Sequence, residues 1–172
     1  MRRFLAAAAL LPLLTGAAPI PSSPDLGKAE GRCRTNEAGS SFLVTVRGLK
    51  DRTGLLKLEV YPANDRDFLE DDNKLIAAGK TFRRVEIATP NGGQPVLCVR
   101  VPGPGRYAVT VLHDRDSNRK FGWRVDGVGF ASNPKLGLSK PKARVASAAA
   151  GAGPTRLDIV MNYQRGLGMR PL

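Results

Sequence analysis

From residue 42 to residue 163, apolar and polar side chains take turns in short runs closed by Gly, Pro or Asn. Phe42, Val44 and Val46 alternate with Thr45 and Arg47 before Gly48. Leu56, Leu58 and Val60 alternate with Lys57, Glu59 and Tyr61 until Pro62. Val85 and Ile87 alternate with Arg84 and Glu86, and residues 96–101 are apolar almost throughout. Tyr107, Val109 and Val111 alternate with Ala108, Thr110 and Leu112; Leu157, Ile159, Met161 and Tyr163 close the series. A period of two places successive side chains on opposite faces, so each run predicts a strand with one buried face. Short strands at such spacing predict an all-β fold, an antiparallel β-sandwich of about seven strands.

A helical period is absent from the pattern. Residues 67–78 allow one short helical turn, and the Ala-rich stretch 143–150 ends in Gly-Ala-Gly-Pro. Two connections are long: 63–80, acidic at Asp65, Asp67, Glu70, Asp71 and Asp72, and 114–142. Connections of that length in a compact domain are usually functional or loosely held. Within the second, residues 126–134 are Gly-rich without a strand-to-helix context, so they read as tight turns, with Phe130 at the core edge.

The N-terminus changes the compartment. Arg2 and Arg3, the apolar residues 4–14 and the small residues 15–18 have the order of a secretory signal, with cleavage favoured after Ala17 because Pro19 follows Ala18. The apolar run is shorter than the roughly 20 residues that span a bilayer, and no later segment is apolar enough. The expected organisation is a signal peptide over 1–18, a flexible lead-in over 19–40, the sandwich over 41–165 and a tail over 166–172. About 155 residues then remain, enough for one domain with a core. Outside the cytoplasm, the paired cysteines Cys33 and Cys98 read as a disulfide; two buried thiols are the alternative.

Lys and Arg exceed Asp and Glu by 12, and by 10 without Arg2 and Arg3. In the cytoplasm this excess would suggest nucleic acid, but an exported chain meets anionic envelope lipid or glycan instead. The bases are scattered, and aromatics are not interleaved with them. General solubility and weak adhesion to the envelope explain such scatter better than a dedicated polyanion site does.

The richest chemistry lies where the strand ending at His113 enters the loop. Asp114, Asp116 and Asn118 stand two residues apart, as do the first ligands of a calcium loop, and the Lys120 carbonyl could be the fourth. Arg119 occupies the position of the turn glycine, Val125 stands where a closing Glu is needed, and Asp126 comes one residue later. Short Asx side chains that bond their own backbone explain the same residues without Ca2+. His113, the single histidine, could catalyse only beside a second reactive group, and Ser40, Ser41 and Ser132 lie in no nucleophile-elbow context. The reading is therefore a non-enzymatic binding or accessory module, with a calcium-stabilised module or an enzyme built on His113 as alternatives.

The combination of Pro104-Gly105-Arg106-Tyr107, His113-Asp114, the Asp/Asn loop, Asp126-Gly-Val-Gly-Phe130 and Ser132-Asn133 resembles a bacterial exported family of unknown function, domain of unknown function 2141. Residues 46–49, Gly54, Tyr61 and the run 157–163 extend the resemblance across residues 42–163. It implies a periplasmic or secreted β-sandwich and no known reaction. The Pro-Gly-x-Tyr turn resembles transthyretin-like and carboxypeptidase-regulatory-like sandwiches. Family members usually carry a His-Asp-x-Asn-x-Asn-Gly-Lys type of loop, from which this chain departs at Arg119.

Overall fold

The computed structural model describes residues 24–172; the expected signal, 1–18, lies outside the described residues. The alternating runs become β1 (Ser41–Arg47), β2 (Leu55–Pro62), β3 (Arg83–Ala88), β4 (Val96–Arg100), β5 (Gly105–Asp114) and β8 (Pro154–Val160). Between the last two lie β6 (Gly127–Phe130) and β7 (Ser147–Ala150), and a hairpin of β9 (Tyr163–Arg165) and β10 (Gly168–Arg170) follows. Two short helices, α1 (Lys28–Gly31) and α2 (Asp72–Ala77), complete the elements the site depends on. Asp71 caps α2 by accepting from the N–H groups of Asn73 and Lys74.

Two sheets face each other. The smaller has the order β4-β1-β8, and the larger has the order β3-β2-β5-β6, with β7 beside the other half of β5. All pairings are antiparallel except β1 with β8, which run parallel from Ser41 opposite Pro154. Phe42, Val44 and Val46 of β1, Leu97 and Val99 of β4, and Ile159 of β8 meet Leu56, Leu58, Val60, Val109 and Val111 of the larger sheet, all buried. Each Å2 of apolar surface this inner layer removes from water stabilises the fold by about 25 cal/mol.

The 126–134 segment is a strand in part, not only turns. Two of its glycines explain the difference. A Cβ on Gly127 would lie 2.3 Å from the Tyr163 ring, and one on Gly129 would lie 2.5 Å from Ile159 Cγ2. Glycine inside a strand permits this close approach of neighbouring chain. The Ala-rich stretch likewise gives a turn of 3-10 helix at Ala143–Val145 and then β7, paired to β5.

A second apolar layer covers the outer face of the larger sheet. Tyr61, Phe82, Ala108 and Phe130 from the sheet side meet Phe68 and Leu75 of the first long connection and Ala143 and Ala146, which follow the second. Edge-on aromatic contacts link Tyr61 to Phe68 and Phe82, at 5.8 and 5.3 Å, and Phe68 to Phe130, at 5.9 Å. Both faces of β5 are thus buried over most of its length. Phe130 belongs to this outer layer.

Cys33 and Cys98 form a disulfide, with Cα atoms 5.9 Å apart. Closing 65 residues of chain stabilises by about 4 kcal/mol in the chain-entropy picture. The lead-in was expected to be flexible; its described part joins both sheets. Arg32 bridges to Val99 of the smaller sheet, and the Gly27 carbonyl accepts from the Arg84 N–H of the larger. Among the described residues, no helix is long and apolar enough to cross a membrane.

Candidate functional site

β5 carries the chain from the sandwich into the acidic loop, and His113 is the hinge of that passage. Its ring is fully buried. Nε2 lies 2.9 Å from the Thr53 carbonyl, which can only accept, so Nε2 carries the proton. Nδ1, 2.7 Å from the Tyr163 hydroxyl, then accepts from that O–H, while the Tyr163 oxygen accepts from the Lys50 N–H. The chain of bonds needs a neutral imidazole. Burial pushes the His113 pKa below its ordinary value, although the Thr53 carbonyl and Asp51 pull it upward. Burial also pushes the Tyr163 hydroxyl up to about 12.

The loop brings Asp114, Asp116 and Asp126 together, with one oxygen of each within 4.8 Å of the others. Every one of these oxygens has a donor on it. Asp114 Oδ1 accepts from the Asn118 N–H at 3.1 Å, and Oδ2 from the Arg119 N–H at 2.7 Å. Asp126 Oδ1 takes the Arg115 N–H and Oδ2 the Gly122 N–H, at 2.9 and 2.7 Å. Asp116 accepts from the Asn118 backbone and side-chain amides, and Asn118 Oδ1 accepts from the Lys120 N–H. Ser117 and Arg119 have φ of 58° and 64°, so Arg119 adopts the left-handed conformation a turn glycine would have favoured.

Asp114 and Asp126 are each 1% exposed, which places both inside the loop they organise. Burial raises the Asp114 pKa; the Arg119 N–H opposes this, and Asp116 and Asp126 add to it. Arg115 lies across the same loop, bonding Asp51 through Nε at 2.8 Å and the Val125 carbonyl at 2.7 Å. It holds the Asp51 carboxyl well below the usual carboxylate range. Of the five residues expected from sequence, Asp114, Asp116 and Asp126 converge, Asn118 bonds Asp114 and Asp116, and Lys120 joins them through its N–H to Asn118 Oδ1. Calcium takes six to eight oxygen ligands, and here the loop's own donors already satisfy the carboxylates. Arg119 also pairs with Glu86, at 3.3 Å.

Sequence reasoning missed a cavity of about 400 Å3 over the outer face of the larger sheet. Its floor is Lys57, Glu59, Thr110, Leu112, Val128 and Phe130; Phe121 and Trp123 from the acidic loop and residues 136–141 wall it. Under its charged side, Arg84 bonds Glu59 at 2.8 Å and Asp72 at 3.0 Å, and Tyr61 donates to Glu59 at 2.8 Å. One signal was available: β5 is apolar at both alternating sets of positions, the mark of a strand covered on both faces.

Residues 44–158 match the model of a bacterial family described as an uncharacterized protein conserved in bacteria (DUF2141). The chain belongs to that family. In this member the matched region holds most of both sheets, the acidic loop and nearly all of the cavity floor and walls. No curated protein and no solved structure shows significant similarity to the chain.

Proposed function

We propose that the chain is an exported, non-enzymatic binding module of the cell envelope that works through the 114–142 connection. The observation that carries the reading is the open, largely apolar cavity which this connection builds over the larger sheet. Ligand sites in proteins are concave, mostly apolar and furnished with a few polar groups, and this cavity has those features. Export is supported by the signal pattern of residues 1–18 and by the Cys33–Cys98 bond, a link that persists in oxidising compartments. A non-enzymatic role is supported by the way His113, Asp114 and Asp126 are used. Both ring nitrogens and all four carboxylate oxygens are engaged in holding the loop, so none of these three residues presents a free base at an open surface. The net positive charge of +12 points to an anionic lipid or glycan as partner.

The test is co-sedimentation of the purified chain with vesicles containing anionic lipid, with purely zwitterionic vesicles and with a polyanionic glycan bound to beads. Binding to the anionic vesicles or the glycan should be retained at low salt and should weaken as ionic strength rises. Absence of binding to every surface at low salt would sink the reading.

A further inference from the structure

We propose that the cavity over the larger sheet is a site for a single-chain anionic amphipath, a long-chain carboxylate, with its head at Lys57. The proposal rests on the binding reading above and names its ligand. Strand register supplies the main argument. Lys57 of β2 is paired with Leu112 of β5, which is paired with Val128 of β6. Glu59, Thr110 and Phe130 form the parallel row. Crossing the floor from β2 to β6 therefore leads from charge to hydrocarbon. A ligand that fits must itself be charged at one end and apolar along the rest.

Lys57 is the group at the charged end with capacity to spare. Its Nζ donates to the Arg119 carbonyl at 3.1 Å and lies 3.5 Å from Glu59 Oε1. An ammonium has three donors, so one remains for a ligand. Glu59 already has the Arg84 guanidinium and the Tyr61 hydroxyl on it. Lys57 also borders a second cavity, about 230 Å3, lined by Arg84, Arg119 and Lys120 and by one carboxylate, Glu86, which Arg119 pairs at 3.3 Å, so cations outnumber anions in that lining. This arrangement favours an anionic head over a cationic one.

The apolar end fits a chain. Trp123 and Met169 wall it, while Leu138 and Phe121, 77% and 47% exposed, stand at its rim. Exposed apolar side chains grouped at the mouth of a pocket mark a surface that is covered when the site is filled. A volume of about 400 Å3 lies near the low end of ligand pockets, which run from about 300 to 1,000 Å3; it accommodates one alkyl chain better than the two of a phospholipid.

Trp123 is the single tryptophan of the chain, so its emission reports on the cavity alone. The purified chain is titrated with dodecanoate and with dodecanol, each below the concentration at which it aggregates, while tryptophan emission is followed. Dodecanoate should bind saturably and at least about tenfold more tightly than the alcohol, the discrimination of one desolvated charge pair. Lys57→Met should bring the two ligands to equal affinity. Leu138→Asp, at an exposed position that cannot compromise the core, should weaken dodecanoate about fivefold or more with an unchanged circular dichroism spectrum. If Lys57→Met does not fold, the acid-to-alcohol ratio and Leu138→Asp still decide. Equal affinity for acid and alcohol in the unaltered chain, or no response to either, overturns the proposal. Vesicle and glycan binding, measured in parallel, separates the two readings. Anionic surfaces bound without dodecanoate remove only the carboxylate site, and failure of both removes the binding module as well.

Discussion

The smaller sheet covers one face with core and leaves the other to Arg47, Arg156 and Asp158, which are exposed, whereas the larger sheet is covered on both faces. The same kind of alternating strand lies in each. In β1, the residues between Phe42, Val44 and Val46 meet solvent at least in part. In β2, the residues alternating with Leu56, Leu58 and Val60 are Lys57, Glu59 and Tyr61, all buried under the long connections. Charge removed from water must be paired, and Lys57, Glu59, Arg84 and Asp72 form a lattice that does so. The second covering layer therefore brings polar constraints the first lacks, and at its margin it leaves the cavity.

Breaking one ion pair on each outer face sharpens that contrast. Arg84→Met takes the guanidinium from Glu59 and Asp72 together, both buried, and should cost about 3 kcal/mol, the low end for breaking a buried pair because Lys57 and Tyr61 still face Glu59. Arg47→Met removes the exposed Arg47–Asp158 pair of the smaller sheet, at 2.7 Å, and should cost at most about 0.5 kcal/mol. Urea denaturation of the two variants measures the gap. Equal losses would mean that the outer layer does not exclude water from the lattice and that the two sheets are covered alike.

What could be read from sequence divides along the same line. The strands were legible because a period of two appears wherever one face is buried, and the cysteines were legible because a sequence read as exported with two of them has one pairing to make. Lys57 and Glu59 gave the pattern of a solvent-facing edge. Nothing local marks them as buried, because their cover comes from residues 63–80 and 136–141, remote in the chain. Gly127-Val-Gly129 read as turns because the reason for glycine there, contact with Tyr163 and Ile159, exists only in the folded chain. The acidic loop was legible as a cluster, and its choice between cation and backbone depended on where the N–H groups of 115–122 point.

A smaller effect tests the passage from the inner layer into that loop. His113 is the single histidine of the chain, and its folded pKa is lowered. The unfolded chain then binds more protons near the ordinary histidine pKa of about 6.5, so stability is complete above that pH and declines as pH falls through it. Charged groups around the ring are Asp51, whose Oδ1 is 3.8 Å from Nε2, Arg115 and Asp126. The carboxylates that are depressed, Asp51 among them, lose their contribution only at lower pH. Asp114, raised by burial, acts in the opposite sense and favours the fold as it takes up a proton. Melting temperature between pH 7.5 and 5.5 should therefore fall in the unaltered chain, and the fall should be absent in His113→Gln. A melting temperature that rises over that interval would show that the acidic loop, not His113, governs the response.

The smallest expected effect separates the acidic loop from the charged lattice on the larger sheet. In the lattice, side chains neutralise one another, and removal of one takes a partner from buried charges. In the loop, the neutralising partners are backbone N–H groups, whose positions are fixed by the turns at Ser117 and Arg119. A cation entering among Asp114, Asp116 and Asp126 would have to displace those bonds and settle beside Arg115 and Arg119. A ligand at one hundred times its dissociation constant stabilises the folded state by about 2.7 kcal/mol, which shifts melting by several degrees in a domain of this size. The expected result is that millimolar calcium and a chelator give the same melting temperature. A rise with calcium would show that the ion competes successfully with the N–H groups, and the loop would then be a calcium-stabilised support for the cavity wall that Phe121 and Trp123 form.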